Sequence, residues 1–181
     1  MKEYYYAIRS ADSTEIKKLI KLAIEFKGFL ISTNILFEIG LSKFKQIINE
    51  IRKEGISKPI IADLKLTHSS KEEDIDLILQ QLIDANLNGV TVWGLLDKES
   101  INIYKKYSQD FKVYAYLGKM IQSYHLIDKI LELNNTKCDG IFLSFIYIRD
   151  IEEIQEKISN ISKPIYLYID RFENVLISLS N

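Results

Sequence analysis

Seven short apolar runs, rich in β-branched and aromatic residues, begin near Tyr4, Phe29, Ile60, Val90, Val113, Ile141 and Ile165, at intervals of 23 to 31 residues. Stretches between them have helical periodicity. Ile16, Leu19, Ile20, Ala23 and Ile24 fall on one helix face, and Ile75, Ile78, Leu79, Leu82 and Ile83 on another. Ile127, Ile130 and Leu131 begin a third face. Asp12 with Glu15, and Ser70 with Glu73, have the capping-box spacing of helix starts. Glycine or proline stands before several of the apolar runs, as in Gly28-Phe29, Pro59-Ile60, Gly89-Val90, Gly140-Ile141 and Pro164-Ile165.

An alternation of strands and helices at this period implies a parallel sheet with crossover helices. Seven such units predict an α/β fold, a (β/α)8 TIM-type barrel ahead of an open doubly wound sheet. A chain of 181 residues is long enough for one such domain, covering 1–181. The barrel is expected to be shortened, with an irregular or incomplete eighth unit. Asn174-Val175-Leu176-Ile177-Ser178-Leu179 reads as a strand, yet only Asp170 to Glu173 separates it from the seventh run, too little for a crossover helix. Either the barrel closes through a short link, or it stays open with its edge covered by a partner or a C-terminal helix. Ile56-Ser57-Lys58-Pro59-Ile60 recurs unchanged as Ile161-Ser162-Lys163-Pro164-Ile165, each copy leading into a strand.

Charge narrows the function classes. The 24 Lys and Arg nearly cancel the 25 Asp and Glu, so there is no basic footprint for nucleic acid and no polybasic membrane patch. No apolar run reaches the ~18 residues of a membrane span, and Met1-Lys2-Glu3 does not open a signal peptide, so a cytoplasmic protein is expected. The one cysteine, Cys138, forms no internal disulfide and builds no zinc site alone. No ligand spacing calls for a metal.

The third run ends in Ile60-Ile61-Ala62-Asp63-Leu64-Lys65-Leu66-Thr67-His68. A strand's side-chain period is two, so Asp63 and Lys65 are expected on one face, at the C-terminal strand end where such barrels do their chemistry. Opposite charges there are costly unless they pair or act. The stretch resembles the D-x-K-x-x-D signature of the orotidine 5′-phosphate decarboxylase superfamily, whose members include 3-keto-L-gulonate-6-phosphate decarboxylase and hexulose-6-phosphate synthase. Its wording is nearest to archaeal forms of the decarboxylase. Val92-Trp93-Gly94 lies where the decarboxylases often carry a Val-His-Gly-like strand end.

The resemblance implies decarboxylation of orotidine monophosphate to uridine monophosphate, in pyrimidine biosynthesis, without cofactor or metal. A Lys-Asp-Lys-Asp network serves that reaction, and its preorganised charges stabilise a carbanion. By resemblance Lys65 is the proton donor and Asp63 the neighbouring carboxylate. The last aspartate of the signature, supplied across a dimer interface in the family, falls at His68. Arg9 stands where a ribose-binding aspartate is expected, and Thr33 or Asn34 where the strand-two lysine would be. Leu117-Gly118-Lys119-Met120-Ile121 replaces a Ser-His-Pro-Gly-like loop. The family grips phosphate with glycine loops and an arginine near the last strands. Here the last glycine is Gly140, and Arg171 is the only cation after the seventh run.

Plain structural readings stand beside these. Asp63 and Lys65 form an ion pair in a barrel mouth; His68 approaches a helix or an interface; His125 is a surface or packing residue of a helix; Trp93 packs; Cys138 is unactivated; the tyrosines of Tyr4-Tyr5-Tyr6, Tyr166 and Tyr168 serve strand packing. Glu72-Glu73-Asp74 suits a helix N-terminus. The expected protein is a decarboxylase-like barrel with lost or altered catalysis, serving as a binding, regulatory or assembly subunit, as a homodimer or with a family-related partner. Its expected ligand is a pyrimidine nucleotide or another small anion. Rival readings are an active decarboxylase working through Lys65 and Asp63, and a barrel enzyme for another phosphate or carboxylate held by Arg9, Lys65 and Lys119.

Overall fold

The computed structural model describes residues 3–9, 12, 25–67, 72–106, 110–118, 123–144 and 160–169. Its strands are β1 (Glu3–Ile8), β2 (Gly28–Ser32), β3 (Ile60–Leu66), β4 (Gly89–Trp93), β5 (Lys112–Leu117), β6 (Gly140–Ser144) and β7 (Ile165–Ile169). Each of the seven apolar runs is a strand. Each strand pairs in parallel with the next, and β7 pairs with β1 through Glu3 with Tyr166, Tyr4 with Leu167, Tyr5 with Tyr168 and Tyr6 with Ile169. The barrel therefore closes on seven strands. The open edge, one of the two alternatives, does not exist, because β7 bonds to β1 on one side and β6 on the other. No place between them is left for an eighth strand, and segment 174–179 lies outside the described residues.

Closure at seven narrows the lumen, since barrel diameter grows with strand number. Side chains two apart along the strands fill it: Tyr5, Ala7, Leu30, Ile61, Tyr114, Tyr116, Phe142, Tyr166 and Tyr168. Phe142 sits at the centre, its ring 4.8 Å from that of Tyr5, 4.9 Å from Tyr114 and 5.4 Å from Tyr166. Such bulky rings need a gap opposite them. A Cβ at Gly28 would come within 2.5 Å of both the Tyr5 ring and the Pro59 carbonyl, so glycine is required there by close approach. Burial, reinforced by Tyr5 and Tyr166, pushes the Tyr114 phenol well above the ordinary tyrosine range.

Helices wrap the outside. They span Thr33–Lys53, Glu72–Asp84, Lys98–Lys106 and Ser123–Asn134. The first is broken at Gly40, whose φ of 74° and ψ of 162° suit glycine alone. The faces read from periodicity are largely those buried. Ile75, Leu79 and Leu82 reach the core; in the last helix Ile130 does so as expected, together with Leu126 and Leu133, which the expected face left out. Ile83 and Leu131 do not, at 41% and 40% exposed, because each lies beyond the edge of its helix's core-facing stripe. Glu72-Glu73-Asp74 opens the second of these helices, where the dipole favours acid. The helix face expected over Ile16 to Ile24 lies outside the described residues.

The repeated pentapeptide is a structural device at the barrel's N-terminal end. The Lys58 ammonium donates to the Phe26 carbonyl, and the Lys163 ammonium donates to the Cys138 carbonyl at 2.6 Å. Each acceptor lies two residues before the preceding strand. The following prolines complete the match: Phe29 N–H donates to the Pro59 carbonyl at 2.8 Å and Ile141 N–H to that of Pro164 at 3.0 Å. Each copy thus clasps the base of one strand to the next. Lys163→Met is expected to lower unfolding free energy by about 1 kcal/mol. Urea denaturation checks this; unchanged stability would show that the Lys163 contact does not hold the strand bases together.

Asp139, just before β6, joins three elements. Its carboxylate accepts from Val113 N–H at 2.8 Å and pairs with Lys105 at 2.8 Å and Lys112 at 3.2 Å. Burial pushes its pKa up, but the bonds from Lys105, Val113 and Lys112 outweigh burial and hold it below the ordinary aspartate value. A depressed folded pKa gives stability present above the unfolded value of about 4 and lost as pH falls through the folded value. Asp139→Asn is therefore expected to be less stable at pH 7 by about 1–2 kcal/mol, with the difference vanishing in acid. Thermal unfolding of both proteins between pH 7 and pH 3 measures this.

Candidate ligand site at the barrel mouth

The C-terminal end of β3 is irregular. Ala62 pairs with Val90 and Leu66 with Val92, so Asp63, Leu64 and Lys65 stand opposite the single residue Thr91. Lys65 takes a φ of 49°, in the left-handed region that lysine rarely occupies. A bulge of this kind re-aims side chains at a barrel rim. Asp63 and Lys65 do meet, as strand parity predicts, but through a bulge and not through regular alternation.

Their contact is short. Lys65 Nζ lies 2.6 Å from Asp63 Oδ2. Thr91, fully buried, donates its hydroxyl to Asp63 Oδ1 at 2.9 Å and accepts the Lys65 backbone N–H at 3.0 Å. Asp63 is 4% exposed, whereas the Lys65 side chain is 34% exposed. The pair therefore reaches from the core to the mouth with the cation outermost. The ammonium also sits 4.7 Å from the centroid of the Tyr116 ring, within cation–π range.

That ring belongs to an aromatic floor. Tyr116 lies 5.9 Å from Trp93 and 5.9 Å from Tyr168. Arg9, the exposed residue after β1, donates to the Tyr168 hydroxyl, with its guanidinium carbon 6.0 Å from the Tyr168 ring centroid. The floor links Arg9 to Lys65 through two tyrosines. The arrangement offers two cations above ring faces, suited to a planar ligand with negative charge.

Of the residues singled out from sequence, Asp63, Lys65 and Arg9 are brought to this mouth. Thr33 opens the helix that follows β2 directly. His68, Lys119 and Arg171 lie outside the described residues. Thr91 and Tyr116 escaped the sequence reading, and Tyr168 was assigned to packing alone. Parity places Thr91 on the face of Trp93, but it does not separate Tyr116 from Tyr114 or Tyr168 from Tyr166. Among the described residues, no group of three His, Cys, Asp or Glu is placed to hold a metal ion, and no helix is long and apolar enough to cross a membrane.

No family model and no curated protein sequence matches the chain. Solved structures do. Orotidine 5′-monophosphate decarboxylase from Methanocaldococcus jannaschii, complexed with the inhibitor BMP, superposes with a TM-score of 0.72 at 16% identity, covering 97% of this chain and 92% of that one. The Sulfolobus solfataricus decarboxylase gives 0.71 at 14% identity, over 94% and 89%. The 3-hexulose-6-phosphate synthase from Salmonella typhimurium gives 0.63 at 16% identity, over 91% and 77%. In a shortened, seven-stranded form, the chain has the barrel fold of the orotidine 5′-monophosphate decarboxylases and 3-hexulose-6-phosphate synthases.

Proposed function

We propose that the mouth of this barrel binds a planar ring carrying an anionic group, such as a pyrimidine nucleotide presents, without decarboxylating it. The observation that carries this reading is the Lys65 ammonium, fixed on Asp63, set over the Tyr116 ring and open to the mouth. Strained backbone at Lys65 supports a binding role, since left-handed non-glycine residues cluster at functional sites. Trp93, Tyr116 and Tyr168 offer ring faces and edges for stacking. Arg9 offers a second cation.

Loss of the reaction follows from charge. The decarboxylase network that this stretch resembles alternates two lysines with two carboxylates. Here Thr33 or Asn34 takes the place of one lysine, and His68 takes that of one aspartate. The single remaining carboxylate neutralises the single remaining lysine. Stabilising a carbanion needs preorganised charge beyond a neutral pair. A chain of this kind acts as a binding or assembly subunit, as a homodimer or beside a related partner.

An absorbance assay with orotidine monophosphate tests the loss. The expected result is no turnover above the uncatalysed rate. Turnover that disappears in Lys65→Ala would instead make the chain an active decarboxylase working through Lys65 and Asp63.

A further inference from the structure

We infer that Thr91 is the positioning residue of this mouth, holding the Lys65 ammonium where a ligand meets it. The inference rests on the reading of the mouth as a ligand site. Three residues of β3 face Thr91 alone, so the regular ladder is interrupted at Lys65. The Thr91 hydroxyl accepts the Lys65 N–H in its place. With its oxygen so engaged, the hydroxyl proton is directed to Asp63 Oδ1, and Asp63 Oδ2 takes the Lys65 ammonium. The backbone and the side chain of Lys65 are thereby tied to one carboxylate, through a closed ring of three hydrogen bonds.

That ring accounts for the left-handed backbone. A φ of 49° is unfavourable for lysine, and here it goes with a backbone N–H that reaches the Thr91 hydroxyl while the ammonium reaches Asp63. Valine at position 91 keeps the shape of threonine but neither accepts from Lys65 nor donates to Asp63. Serine keeps both functions. Because Thr91 is fully buried, water does not replace a missing hydroxyl there. Thr91 touches the ligand's anchor and not the solvent-facing mouth, so its effect on binding runs through Lys65.

Reductive methylation of the folded protein without ligand, read residue by residue by mass spectrometry, tests this. The exposed Lys53 serves as the internal reference. Thr91→Val is expected to raise the Lys65 labelling rate on the order of fivefold relative to Lys53, and Thr91→Ser to restore the original rate. Should Thr91→Val not fold, Thr91→Ala is expected to show the same rise. Affinity for uridine monophosphate is expected to fall in Thr91→Val and recover in Thr91→Ser. Unchanged Lys65 labelling in the folded Val or Ala variant would overturn the inference and leave Thr91 a packing residue. The labelling arm uses no ligand, so a mouth that binds no nucleotide would refute the proposed function while leaving this result to be judged separately.

Discussion

Phe142→Ala is expected to lower the unfolding free energy by about 3–5 kcal/mol, the largest effect of any single change considered. The ring is fully buried and meets Tyr5, Tyr114 and Tyr166 at once. In a barrel of seven strands the lumen has no slack to collapse into, because the surrounding backbone is fixed by strand pairing on every side. The edge-to-face contacts with Tyr5 and Tyr114 are lost together with the apolar burial. For a chain of this length such a loss lowers Tm by roughly 10 °C. Urea and thermal unfolding measure it, and a loss under about 1 kcal/mol would mean that the lumen does not hold the barrel together.

Lys65→Met is the second large effect. It leaves the Asp63 carboxylate, whose side chain is 6% exposed, in the core without its ammonium. Breaking a buried pair from one side costs about 3–5 kcal/mol, and the part-exposure of Lys65 reduces this to about 2–3 kcal/mol. Removing both charges is a different matter. The double variant Asp63→Leu with Lys65→Met is expected to be more stable than Lys65→Met but to stay about 1–2 kcal/mol below the wild type, since the uncompensated charge is gone while the buried Thr91 hydroxyl loses its acceptor. Equilibrium denaturation of the four proteins of this cycle decides it. A double variant less stable than Lys65→Met would show that the pair stabilises the fold outright, which would weaken the case for its being kept for binding.

The barrel was legible because its strands are buried on both faces and read as apolar runs whichever way each side chain points. The helices between them were legible only in part. Periodicity placed Ile75, Leu79 and Leu82 in the core but also claimed Ile83 and Leu131, which sit at the margin of their stripes. Closure at seven was not legible, because it depends on whether five tyrosines and Phe142 fill a narrower lumen, a question of summed volume that no local pattern encodes. The pentapeptide repeat was visible as letters, while its meaning needed the reach of Lys58 and Lys163 to carbonyls just before the preceding strands.

The site followed the same division. Asp63 and Lys65 announced themselves as charges in an apolar run, whereas Arg9 was picked out by the resemblance, as standing where a ribose-binding aspartate is expected. Thr91 did not, since a threonine in a strand is unremarkable by propensity. It matters only because β3 bulges opposite it, and the bulge is a tertiary event. Tyr116 and Tyr168 were likewise indistinguishable in sequence from Tyr114 and Tyr166. What separates them is height in the barrel, the upper pair reaching Lys65 and Arg9.

Calorimetric titration of uridine monophosphate into the wild type and into Lys65→Ala shows whether the mouth binds a nucleotide through Lys65. Saturable binding with Kd below about 1 mM, weakened about tenfold or more by Lys65→Ala, is the result predicted. A folded wild type that gives no binding heat, or a Lys65→Ala variant that binds as tightly as the wild type, would contradict it.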